Sequence, residues 1–192
     1  MAMKRLYYMS YKETPSTACA IAPKGSPIFI CNMAEELEVT GRLPFTLTLM
    51  DIIFKNGKRY ISDDLTGLKT IWTDCLLNSA LLFLCSENLR DVIDNNMKGY
   101  NYIKWITCDV VGQEECRQYF FPLFTERLDL LDEGGGWDKR KTAKFPLITL
   151  PEWFNWRISN SFYVSEEMRK AIKKSGATKG LSLNPTGIYI PD

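Results

Sequence analysis

The chain contains no histidine in its 192 residues. That absence excludes zinc sites built on imidazole, Ser-His and Cys-His nucleophile pairs, and the commonest general base. No uninterrupted apolar run approaches the roughly 18 residues of a membrane span. The opening MAMKRLYYMSYKETPST lacks the continuous apolar stretch of a secretory signal. A cytoplasmic protein with no membrane partner is therefore expected. The six cysteines, at positions 19, 31, 75, 85, 108 and 116, form no CxxC pair, and most sit in apolar company such as PIFICNM and LLFLCSE. They read as buried free thiols, and neither a metal nor a cofactor is expected. Net charge is nearly absent too, at +1.

What is present is apolar material, 45% hydrophobic and 12% aromatic residues, enough to bury a core. One domain over residues 1–192 is expected, with a β-rich part at 1–80 and a second part at 81–192. The small net charge conceals a division along the chain. From Ile61 to Trp137 acids outnumber bases; from Asp138 onward Lys139, Arg140, Lys141 and Lys144, then Arg169, Lys170, Lys173, Lys174 and Lys179, reverse the balance. The middle is a candidate acidic surface, although charges of this kind also cover the solvated faces of ordinary elements.

One pattern occurs twice. FLCSENLRDVI, from Phe83 to Ile93, returns as FYVSEEMRKAI, from Phe162 to Ile172. In each copy a serine, Ser86 or Ser165, follows a short apolar run and precedes an acid, the position and chemistry of a helix N-cap. Counting from the serine, the apolar residues fall at plus three, six and seven: Leu89, Val92 and Ile93 in one copy, Met168, Ala171 and Ile172 in the other. That spacing makes one buried stripe. Gly176 should end the second helix. Each helix then leads to Lys-Gly, at Gly99 and Gly180, and to a stretch of alternating apolar residues. Both copies read strand, capped helix, glycine turn, strand, with the two strands parallel in one sheet.

Elsewhere KRLYYMSY and SPIFICNM read as strands, and Pro15 ends the ordered run that follows the first. Asn56-Gly57 between apolar runs is the strongest hairpin signal. QYFFPLFTERLDLLDE should be internal, with Pro122 barring a single unbroken central strand. EGGGWDKRK, Glu133 to Lys141, is the clearest loop; it lacks the Lys-Ser/Thr ending of a phosphate-binding loop. The fold class expected is α+β: mixed sheet or sheets with two similar strand-helix-strand modules and an N-terminal β-rich part.

The order of several segments carries a resemblance. An early YYMSY, then LCSENLRDVI, YFFPLFTERLDLLD, Trp156-Arg157-Ile158 and a terminal VSEEMRKAIKKSGATKGLSL together resemble immunity-protein family eleven of bacterial polymorphic toxin systems, over roughly Leu81 to Leu183. The resemblance implies a binding protein without catalysis, an antidote whose partner is a cognate toxin domain. After LDLLD the family continues into Lys/Arg-Ser, whereas this chain enters EGGGWDKRK, a place where partner specificity could differ. Asp129, Asp132, Glu133, Trp137 and Asp138 are accordingly the toxin-binding candidates, and Ser86, Gly99, Ser165 and Gly180 the structural ones. A nuclease, with its cationic substrate groove, would suit the acidic segment.

Two other classes compete. A carboxylate-dependent enzyme could use Asp63 with Asp64 or Glu114 with Glu115. Adjacent acids diverge on a strand or a helix, however, and Asp63 and Asp64 look more like helix-start acids. Cys116, beside Glu114 and Glu115, has the wrong local charge for an activated thiol. RNA binding is suggested by RLYYMSY and YNYIKW, where aromatics alternate with polar or basic residues, a pattern more common in strand packing. No nucleic-acid partner is expected.

Overall fold

The computed structural model describes residues 3–12, 16–27, 30–131, 133, 138–142, 144–149 and 156–191. In chain order the elements are β1 (Met3–Tyr11), β2 (Cys19–Ile21), a 3-10 turn (Ile30–Met33), α1 (Ala34–Thr40), β3 (Leu47–Lys55), β4 (Lys58–Ser62), β5 (Cys75–Leu76) and β6 (Leu84–Cys85). There follow α2 (Glu87–Asn96), β7 (Ile103–Gly112), β8 (Glu115–Phe124), α3 (Lys139–Thr142), β9 (Leu147–Ile148), β10 (Ser161–Val164), α4 (Glu166–Ser175) and β11 (Leu181–Pro191). They form a mixed α+β structure with one sheet ordered β2-β3-β7-β8-β6-β5, to which β4 adds by pairing with β3, and a second ordered β11-β1-β10-β9. No helix among the described residues is long and apolar enough to cross a membrane.

The larger sheet curls back on itself. Ala20 of β2 donates to the Leu77 carbonyl at 2.8 Å and accepts from the Ser79 amide at 2.9 Å, joining the first strand of the sheet to the segment after the last. Inside the curl lie Ala18, Ala20, Leu47, Leu49, Leu76, Leu84, Ile106, Cys108, Val110, Phe121 and Leu123, all in one buried cluster. Closure of this kind leaves fewer open strand edges for unwanted pairing.

Asn56 and Gly57 both have positive φ, 52° and 72°, and turn β3 into β4 as their sequence demands. The β7–β8 hairpin turns on Gln113 and Glu114, also at positive φ, 49° and 66°, without the usual Asn-Gly chemistry. Three expectations are corrected. SPIFICNM forms no strand over its described part: Ile30–Met33 is a 3-10 turn entering α1, because an apolar run alone does not distinguish strand from helix and the helix formers AEELEV follow it. Asp63 and Asp64 start no helix; Asp64 instead accepts from the amide and hydroxyl of Thr66, closing a turn. And β8 runs unbroken through Pro122, opposite Trp105. Pro122 shares its orientation with Phe124, whose amide points away from β7 to the Arg157 carbonyl at 2.8 Å, so the ring displaces no ladder bond to β7. Pro15 lies outside the described residues.

The repeated pattern is structural, and it is larger than its sequence signature. Ser86 and Ser165 cap α2 and α4, accepting from the amides of Leu89 and Met168 at 3.3 and 3.1 Å. Gly176 ends α4 in the left-handed conformation, and Gly99 and Gly180 turn at φ 91° and 73°. The strands of each module are parallel but not adjacent. β6 and β7 both pair antiparallel with β8, and β10 and β11 both pair antiparallel with β1, so each module is split by a third strand. A fourth strand completes each set. Cys75 and Leu76 pair with Cys85 and Leu84, as Leu147 and Ile148 pair with Val164 and Tyr163.

The correspondence extends to single bonds. The Ser86 amide donates to the Asp74 carbonyl and the Ser165 amide to that of Pro146; Thr125 donates to Tyr102 as Lys12 donates to Gly180. Cys85 lies opposite Phe120 and Val164 opposite Tyr7. Over those two rings sit Arg90 and Arg169, 4.0 and 4.4 Å from the ring centres, each also paired with the acid three residues before it. The quartets β5-β6-β8-β7 and β9-β10-β1-β11 are therefore the same unit twice, with the inserted strand following the module in one and preceding it in the other. Between them Phe83, Leu89, Ile93, Phe124, Phe162, Val164, Met168 and Ile172 share one core, and the Phe83 and Phe162 rings meet edge to face at 5.0 Å.

Candidate functional site

Of the acidic loop residues that the structure describes, Asp129 and Asp138 are engaged. Asp138 opens α3: its carboxylate accepts from the Arg140 and Lys141 amides at 2.8 and 3.1 Å. Those amides hold its pKa below the ordinary value. Asp129 pairs with Lys141 at 2.7 Å on an exposed surface, and Glu133 is exposed in a turn. Asp132 and Trp137 lie outside the described residues. The wider acidic segment is compensated in part: Glu87 and Asp91 meet Arg90, Asp109 meets Arg42, and Glu115 meets Arg117.

The other expected chemistries find their residues similarly occupied. Tyr7 lies under Arg169, Tyr8 against Tyr163, and Tyr102 is buried with its hydroxyl donating to the Leu147 carbonyl at 2.7 Å. These aromatics pack against neighbours and present no row of open rings. Cys19, Cys75, Cys85 and Cys108 are buried and in no disulfide, while Cys116 is exposed. Burial pushes the thiols of Cys75 and Cys85 well up, and that of Cys108 to about 12.

A different place draws attention. Where the curled sheet closes, a groove of about 950 Å³ opens between the β3–β4 hairpin and the segment after β5, lined by Ile52, Ile53, Phe54, Leu77, Leu81 and Arg59 among others. One wall is the free-standing end of the hairpin, where Phe54 is 72% exposed and Ile61 53%. The other carries Leu81, 55% exposed and held at φ 56°. A left-handed leucine costs about 1–2 kcal/mol, and the surrounding bonds enforce it. The buried Asn78 side chain donates to the carbonyls of Leu76 and Leu82 at 3.0 and 2.7 Å and accepts from the Leu82 amide at 3.0 Å. Ser79 Oγ accepts from the Ala22 amide at 2.9 Å. The loop is thus pinned at both ends of Leu81, with the leucine turned outward.

No family model matches the chain, and no curated protein or solved structure does so either. The groove stands on its own physical features. Apolar side chains displayed from two walls of one concavity make this groove the candidate contact surface of the described residues. Sequence reasoning missed Leu81, because nothing in NSALLF announces a left-handed residue. Phe54 was accessible in principle: an aromatic two residues before an Asn-Gly turn stands at the far end of a hairpin, where little core reaches it.

Proposed function

We propose that this protein is an immunity protein, a cytoplasmic antidote that binds one cognate toxin domain and inhibits it by covering its active site. The sequence resemblance to immunity-protein family eleven suggests the class. The observation that carries it is the groove, where Phe54 and Leu81 stand exposed around one apolar concavity. Burying such groups against a partner is the main favourable term in most protein association. An antidote must leave almost no toxin free, so an interface of roughly 1,600 Å² and nanomolar or tighter binding are expected. A nuclease remains the toxin class that the acidic segment would suit, with Asp129, Asp132, Glu133, Trp137 and Asp138 as its contacts.

The test is capture from the source cell with the whole chain as bait, at low and high salt, followed by expression of the captured protein's C-terminal domain in a heterologous host. That domain should be toxic alone and harmless when this chain is co-expressed. A captured protein without toxicity, or toxicity that co-expression does not relieve, would sink the proposal.

A further inference from the structure

Across the short β5–β6 ladder Cys75 stands directly opposite Cys85. The Cys75 amide points away from β6 and donates to the Lys179 carbonyl at 3.0 Å, while the neighbouring rung carries the bond from the Ser86 amide to the Asp74 carbonyl at 2.8 Å. Hydrogen-bonded and non-hydrogen-bonded rungs alternate in an antiparallel pair, so the two cysteines occupy a non-hydrogen-bonded rung. Such rungs bring Cα atoms to about 4.5 Å with both side chains on one face, inside the roughly 4.4–6.8 Å that disulfides span. Both thiols lie in one core cluster, 1% and 0% exposed. Among the described residues no other rung joins two cysteines: Cys19, Cys108 and Cys116 lie opposite Met50, Tyr119 and Val111. The repeat shows that the fold does not require sulfur at this place. Because Cys85 lies opposite Phe120 as Val164 lies opposite Tyr7, the matching rung of the second quartet is Leu147 with Val164, equally buried at 1% and 0%. An apolar pair packs there, and the cysteines add to such packing the capacity for a covalent bond.

We infer that Cys75 and Cys85 are a disulfide-forming pair, a modification site whose reactant is a low-molecular-weight disulfide. One cysteine thiolate attacks the reagent, forming a mixed disulfide and releasing one reagent thiolate. The other cysteine thiolate then attacks the protein sulfur of that mixed disulfide and releases the second. Two protein thiols are oxidised, one reagent disulfide is reduced to two thiols, and the two cysteine protons pass to the released thiolates. The weak contact from Cys85 Sγ to the Phe120 carbonyl, at 3.2 Å, is given up. Burial shields the pair in the folded protein, so exchange takes place as the chain folds or when β5, the last strand of its sheet, opens. In a reducing cytoplasm the pair stays as thiols, and an oxidant closes it. The closed bond encircles residues 76–84 and ties the base of the loop that turns Leu81 outward, one wall of the groove. The site does not depend on the toxin-binding role.

The experiment refolds the reduced full chain from urea into buffers of stepped oxidised-to-reduced glutathione ratio and holds a parallel series in urea. Both are quenched with acid, alkylated and mapped by mass spectrometry. The folded series should yield one dominant intramolecular link, Cys75 to Cys85. Its equilibrium constant should exceed that of the same link in urea by at least about tenfold and, for a loop this short, by about 100-fold, because the fold holds the two sulfurs together. By linkage the bond strengthens folding by the same factor, so the oxidised chain should unfold at higher urea than the reduced one. A different dominant link, mixed glutathione disulfides without the Cys75–Cys85 bond, a preference under about tenfold, or an oxidised chain that unfolds at the same or lower urea would each overturn the inference.

Discussion

Gly99 and Gly180 look alike in sequence, each following a lysine after a capped helix, and both turn at positive φ. Their surroundings differ. A Cβ at Gly99 would meet open space, whereas one at Gly180 would lie 2.3 Å from the Cys75 carbonyl and 2.8 Å from Thr73 Cβ. Gly99→Ala should therefore cost about 1–2 kcal/mol from backbone conformation alone, and Gly180→Ala more than about 3 kcal/mol, since backbone must also move. Chemical denaturation of the two variants measures the difference; equal losses would refute the close approach. The buried thiols give a second residue-scale expectation. Cys75, Cys85 and Cys108 hold their protons in the fold above the range where an exposed thiol releases them. That contribution is complete below about pH 9 and is lost as pH rises toward about 12. Thermal stability should decline above pH 9. A disulfide reagent applied to the native protein at pH 8 should label Cys116 and the half-buried Cys31, with the other thiols reacting only after unfolding.

At the scale of elements, two hairpins show sequence and geometry agreeing in one case and disagreeing in the other. Asn56-Gly57 supplies the residues that two consecutive positive φ angles require; Gln113-Glu114 adopts similar angles, 49° and 66°, without them. The β7–β8 pairing from Ile103 with Phe124 to Gly112 with Glu115 imposes the turn, and long-range pairing overrides local preference. Replacing Gln113→Asn and Glu114→Gly together should stabilise the protein by about 1–2 kcal/mol, raising Tm by about 2–4 °C per kcal/mol, as calorimetry would show. The outer edges of the two quartets also differ for a local reason. Thr107 of β7 donates to the Gly41 carbonyl and accepts from Leu43, stitching the segment after α1 to the sheet. The corresponding position of β11 is Pro185, opposite Tyr7 as Thr107 is opposite Phe120. A proline there has no amide to offer, so that edge is closed to the same kind of addition.

For the whole molecule, the decisive relation is that β1 does for one quartet what β8 does for the other. Met3 lies opposite Pro191 across the β1–β11 pair, the same junction that Gly112 and Glu115 make between β7 and β8. A permuted chain that begins after Lys12 and carries residues 3–12 behind Pro191, through a two-residue Asn-Gly turn, should keep the fold and unfold in one cooperative transition. Loss of the native β-sheet circular-dichroism signal, or two separate transitions, would show that the correspondence is superficial. One transition is expected because Phe83 and Phe162, Leu89 and Met168, and Ile93 and Ile172 occupy one shared core. Neither quartet buries its own face alone.

The sequence alone determined what depends on neighbours along the chain. Ser86 and Ser165 as caps, the stripes at plus three, six and seven, the left-handed glycines, the Asn-Gly hairpin and the α+β class all follow from short-range sterics and hydrogen bonding. It also showed that a module was written twice. Only the tertiary structure decided what depends on distant pairing: that β8 and β1 split the two modules, that β2 closes the larger sheet through Ala20, and that Pro122 lies within a strand. The candidate site belongs to this second kind. Leu81 is turned outward by Asn78, Ser79 and Ala22, and Phe54 faces it across a groove made by elements more than twenty residues apart. No local pattern encodes that meeting, because exposure of an apolar residue is decided by what fails to cover it, and the covering groups come from elsewhere in the chain.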